Sequence, residues 1–172
     1  MTFIKSDIDN NYYMVRNLND KQTASNLIAY NRQKILQLIK HLNLNKDTKY
    51  KEYSIYIDRL VKKVTDIVIS ENNGNKDETS YSVNKGEELV LCIRSRKDNT
   101  IYDNNLIFYV ILHELSHIAS PSYEEEHNNH GPIFKKIFKF LINVAIENNL
   151  YTRIDFSENS VEYCGIYIND KI

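Results

Sequence analysis

The run Leu106-Ile107-Phe108-Tyr109-Val110-Ile111-Leu112-His113-Glu114-Leu115-Ser116-His117-Ile118 constrains this chain more than any other segment. Wound as a helix, it places apolar side chains on nearly every side, so most of its surface must be buried. The same run carries two imidazoles and a carboxylate. Buried together without partners, these groups would cost several kcal/mol, a penalty that a metal ion removes. Residues four apart lie one turn above each other on one helical face. His113 and His117 can therefore aim at one point, at about the separation a tetrahedral zinc ion requires.

The rest of the chain reads as scaffold for that helix. Its 172 residues suffice for one domain and hardly for two. Residues 1–18 show no clear period and are expected as an N-terminal arm. Asp20 is the predicted cap of a helix reaching about Leu42, with Ala24, Leu27, Ile28, Asn31, Ile35, Leu38, Ile39 and Leu42 on one face. A second helix is predicted from about Thr48 to Lys63. Three strand-like segments follow, at 66–71, 79–83 and 88–94, separated by Asn72-Asn73-Gly74 and Asn84-Lys85-Gly86 turns. Asp103 should cap the helix that ends near Ser120. Gly131-Pro132 should open another to about Glu147, because proline suits the first helical position. Ile154–Phe156 and Val161–Ile168 look like short closing strands. The expected fold is α+β, helices on a small, mainly antiparallel sheet, with a metal-binding core over 103–150.

Charge and hydropathy remove several classes. Lys plus Arg number 22 against 23 Asp plus Glu, so the basic excess of a dedicated nucleic-acid binder is missing. Arg94, Arg96 and Lys97 form a local basic cluster that could meet nucleic acid or a peptide carboxylate. The first residues are too polar for a secretory signal. The longest apolar run, Leu106 to Leu112, is far short of the roughly 20 residues a membrane span needs. Cys92 and Cys164, without a signal peptide, read as buried reduced thiols. The expected location is intracellular.

A catalytic zinc site takes three protein ligands and leaves one position open. Between His113 and His117, Glu114 is placed to act as general base, completing the H-E-x-x-H signature of zinc peptidases. The metzincin extension would need glycine at 120 and histidine at 123, where this chain has Ser120 and Tyr123. Glu147, the nearest gluzincin-type candidate, falls at the far end of its helix. Of the remaining histidines, His130 is favoured over His127, because it directly precedes the Gly131-Pro132 helix start, whereas His127 follows the acidic Glu124-Glu125-Glu126 loop. Tyr123, Tyr163 and Arg153 are candidate donors to a tetrahedral oxyanion. Glu88–Arg94 is the candidate edge strand for substrate backbone, with an ordinary internal strand the alternative.

His113-Glu114-Leu115-Ser116-His117, followed by His130-Gly131-Pro132-Ile133-Phe134, resembles the H-E-L-x-H and H-G-x-x-F motifs of WLM-type and SprT-like metalloproteases. The match covers about Leu89 to Leu150. The flanks 13–42 and 161–165 resemble uncharacterised WLM-domain proteins of large DNA viruses. The resemblance implies a zincin-like single domain over 1–172, Zn2+ held by His113, His117 and His130, and Glu114 as base. It implies an endopeptidase acting on protein or peptide, in the cytoplasm or nucleus of the host cell if viral, and association with DNA-bound proteins. No zinc-ribbon cysteines support that last role. The alternative is a non-catalytic interaction module stapled by zinc.

Overall fold

The computed structural model describes residues 1–75, 78–121 and 130–169. The expected N-terminal arm contains an antiparallel hairpin, β1 (Thr2–Lys5) and β2 (Tyr12–Val15), with Thr2 opposite Val15. Alternation explains it: Tyr13 and Val15 point inward and Tyr12 points to solvent. The hairpin lies against α1 (Lys21–Asn45), whose buried stripe includes Ala24, Ile28, Ile35, Leu38, Ile39 and Leu42. Asp20 precedes α1 but makes no side-chain cap; its carboxylate pairs with Arg94 instead. The second helix starts later than expected. A 3-10 turn at Lys51–Tyr53 leads into α2 (Ser54–Val64), which buries Ile57, Leu60 and Val64.

Next come β3 (Val68–Glu71), β4 (Tyr81–Val83) and β5 (Glu88–Leu91). Their order in the sheet is β3-β5-β4, with β5 parallel to β3 and antiparallel to β4. The sheet is thus mixed. β5 is its middle strand, with neighbours bonded on both sides, so the reading of Glu88–Arg94 as an edge for substrate is overturned. The contiguous buried run Leu89-Val90-Leu91 is what a strand covered on both faces requires. β3 and β4 are the two edges, and β4 packs beside the central helix α3 (Asn104–Ala119).

The last helix, α4 (Pro132–Glu147), packs on α3. Proline occupies its first turn as expected, and Asn149 follows its end with φ 58°. The closing strands are a single hairpin, β6 (Val161–Tyr163) and β7 (Ile166–Ile168), turned by Cys164-Gly165. Ile154–Phe156 is not a strand; Phe156 buries its ring 4.6 Å from Tyr109.

The domain is therefore α+β, with four α-helices and three small sheets among the described residues. Among them no helix is long and apolar enough to cross a membrane.

Two expectations need correction. Cys92 and Cys164 are not separate thiols: they form a disulfide with Cα atoms 6.5 Å apart, within the span such a bond allows. The turn between β6 and β7 brings Cys164 back onto the end of β5, a pairing set by tertiary structure. The basic cluster is equally altered. Arg94 is only 3% exposed and pairs with Glu71 at 2.6 Å and with Asp20. Arg96 donates to the carbonyls of Cys164, Gly74, Asn75 and Glu78. Both guanidiniums tie loops together.

Candidate metal centre

α3 is fixed at both ends by its own chemistry. The Asp103 carboxylate accepts from the backbone N–H groups of Asn105 and Leu106, at 3.0 and 3.3 Å. At the other end Arg59 donates to Ala119 O at 3.0 Å and Lys85 to Ser120 O at 2.8 Å. Two cations thus meet the negative end of the helix dipole. The helix interior is filled by Phe108, Ile111, Leu112 and Leu115, all fully buried.

On this rigid element His113 and His117 share a face, their ring centroids 4.8 Å apart. His130, immediately before α4, brings a third ring to within 5.0 Å of His113 and 5.1 Å of His117. One ligand atom from each of the three lies within 4.8 Å of the others. The Nε2 atoms of His113 and His130 are 3.1 Å apart. Two nitrogens, each about 2.05 Å from a tetrahedral zinc ion, stand about 3.3 Å apart, so the spacing fits such an ion. Phe134, one turn into α4, faces all three imidazoles at 4.4 to 5.1 Å.

His117 is in the protonation state a metal donor needs. Burial, aided by the neighbouring His113 and His130 rings and the Lys85 ammonium, pulls the His117 pKa down to about 3. It stays neutral, as a ligand must. Between pH about 3 and the usual histidine value near 6.5, the unfolded chain binds a proton that the folded chain refuses. Chelator-treated protein should therefore melt at a lower temperature at pH 5 than at pH 7. Calorimetry at both values checks the sign; a higher melting temperature at pH 5 would contradict it.

Glu114 is 7% exposed, with Oε1 3.3 Å from His113 Nδ1. Tyr163 packs within electrostatic reach of it, and burial together with the Glu114 carboxylate raises the phenol above its usual range. The Tyr163 hydroxyl, however, donates to Cys92 O at 2.7 Å and shares a 2.5 Å bond with Ser80 Oγ. It is buried and committed, and so cannot serve as the oxyanion donor proposed from sequence. Arg153 donates to Asn143 Oδ1 at 3.1 Å. Glu147 is exposed, 3.9 Å from Lys49, and is no member of the cluster. His127, Tyr123 and the three glutamates lie outside the described residues.

Sequence reasoning missed Lys85. The Asn84-Lys85-Gly86 turn was legible, but not that it folds onto the end of α3. Gly86 is held there at φ 114°, where a Cβ would stand 3.2 Å from the Ile118 side chain.

No family model matches the chain. The chain is 40% identical over 173 residues to an uncharacterized protein of Acanthamoeba polyphaga mimivirus, covering 99% of this chain and 84% of that one. Uncharacterized proteins of invertebrate iridescent viruses 3 and 6 are each 32% identical over 92 and 100 residues. Those matches cover 53% and 52% of this chain, and about half the length of each relative. Among solved structures, Wss1 from Saccharomyces cerevisiae superposes with a TM-score of 0.50 at 21% identity, covering 80% of this chain and 93% of that one. A Wss1 mutant gives 0.51 at 22% identity, covering 81% and 95%. The fold of this chain is therefore similar to that of Wss1. With 40% identity along nearly its whole length, the chain belongs to the same viral protein family as the mimivirus protein.

Proposed function

We propose that this protein is a zinc-dependent endopeptidase. The observation that carries the reading is the convergence of three imidazoles on one point, with the buried carboxylate of Glu114 beside them. The fold similarity to Wss1 and the motif resemblance to WLM-type and SprT-like proteases support it. His113, His117 and His130 would hold the ion through neutral nitrogens. When bound, zinc supplies Lewis acidity, which makes water a nucleophile near neutral pH and polarises a carbonyl. Glu114 takes the proton from the attacking water and passes it to the leaving nitrogen. Phe134 and Phe138 border His113 and keep bulk water from that side. The free edge of β4, beside α3, is where an extended substrate backbone would pair. The DNA-linked role implied by the resemblance draws no support from Arg94 and Arg96, which are engaged inside the protein.

Metal analysis of purified protein tests the reading. Wild type should carry one zinc per chain and His130→Ala much less than one. Equal zinc in both would remove His130 from the ligand set. A chelator should abolish hydrolysis of an unfolded protein while far-ultraviolet circular dichroism at pH 7 stays native, because the core continues well beyond the site. Unfolding on chelation, with no substrate cut under any condition, would point instead to the zinc-stapled interaction module.

A further inference from the structure

We propose that a second site, separate from the three imidazoles, binds a small oxyanion of phosphate or carboxylate type. It is a cavity of about 190 Å³ lined by residues that include Arg16, Arg94, Arg96, Asn72 and Asn99. The exit of β2, the loop after β3 and the loop after β5 meet there, and no lining residue comes from α3 or α4.

The charge balance favours an anion. Three guanidiniums line the cavity against one carboxylate, Glu71. Both oxygens of Glu71 are already bound: Oε1 accepts from Arg94 Nε at 2.6 Å, and Oε2 from the Arg16 backbone N–H at 2.8 Å. Asp20, behind the cavity, is taken up by Arg94 Nη1.

The hydrogen-bond inventory is incomplete at the cavity wall, although the buried Arg94 nitrogen lies behind that wall and does not itself open onto the space. Arg94 Nη2 is sealed from solvent and has no acceptor. A buried charged donor left unpaired is costly, and native interiors rarely leave one so. Arg16 is half-buried and donates through Nη1 to Asn99 Oδ1 at 3.0 Å. Among the described residues its Nε and Nη2 make no hydrogen bond to protein, which leaves a fork of the kind that grips oxyanions. The backbone makes room for it. A Cβ at Gly74 would stand 3.1 Å from Arg16 Cζ, and the φ of +88° there suits glycine. Arg96, spent on carbonyls, supplies charge and wall. In this arrangement Arg16 touches the anion and Arg96 lends charge beside it, while Arg94 is balanced by Glu71 and Asp20.

Size fits as well. One water needs about 10–15 Å³ of comparable space, so this cavity has room for a polyatomic ion.

Isothermal titration tests the site on the intact chain, with inorganic phosphate and acetate as separate arms, each against wild type and Arg16→Gln. Arg16 is half-buried, so this variant should fold, and an unchanged melting temperature without ligand confirms that it has. The expected result is one ion bound per chain in at least one arm, weakened about tenfold or more in Arg16→Gln, the loss of a charged two-donor contact. The arm that binds assigns phosphate or carboxylate chemistry. No binding at millimolar concentration in either arm would overturn the proposal. So would equal affinity in the variant, or a crystal soaked in the binding ion that shows only water in the cavity.

Discussion

Glu114→Gln should retain its zinc and its melting temperature and lose peptide hydrolysis by about 100- to 10,000-fold in kcat, the usual contribution of a positioned general base. The substitution keeps the shape of a side chain that is 7% exposed, so the packing around this part of α3 is preserved. It replaces an acceptor of protons with an amide that cannot take one at neutral pH. KM should move little, because the change acts on the proton transfer and not on backbone pairing along β4. Measuring kcat, KM and bound zinc on the same preparation separates these effects. Hydrolysis at the wild-type rate would remove Glu114 from the mechanism.

Arg94→Ala should cost about 3–5 kcal/mol of stability, the penalty for stripping one partner from a buried ion pair. Glu71 is 3% exposed and would keep a carboxylate with no counter-charge, while Asp20 would lose the contact that anchors the start of α1. The double variant Arg94→Met with Glu71→Leu should recover much of that loss, since no lone charge then remains inside. Urea denaturation of Arg94→Met, of Glu71→Leu and of the double gives the coupling energy directly. A cost below about 1 kcal/mol for Arg94→Ala would place the pair in the weak class typical of exposed ion pairs.

The helices were legible because their period and punctuation are local. Asp103 caps α3 and Pro132 opens α4 where the sequence puts them, and the α1 stripe from Ala24 to Leu42 is the one observed. The three histidines were legible for the same reason: two share a helical turn, and the third is tied to a recognisable helix start.

What could not be read depends on contacts distant in sequence. The central position of β5 comes from its pairing with both β3 and β4, and strand order leaves little trace in a single strand's composition. Arg94 looks like any surface arginine until Glu71, 23 residues earlier, is brought beside it. Tyr163 is one of three candidate oxyanion donors in the sequence, and its hydroxyl cannot play that role because Ser80 and Cys92 already hold it. The N-terminal hairpin was missed because its inward positions, Tyr13 and Val15, are too few to set a visible alternation.

The bond joining Cys92 to Cys164 turns residues 93–163 into a ring that contains α3, α4 and all three imidazoles. One peptide-bond cut anywhere in that ring leaves a single covalent molecule. A chain nicked there would migrate as an intact species on a gel run without thiol, and separate into two bands only once the sulfurs are reduced.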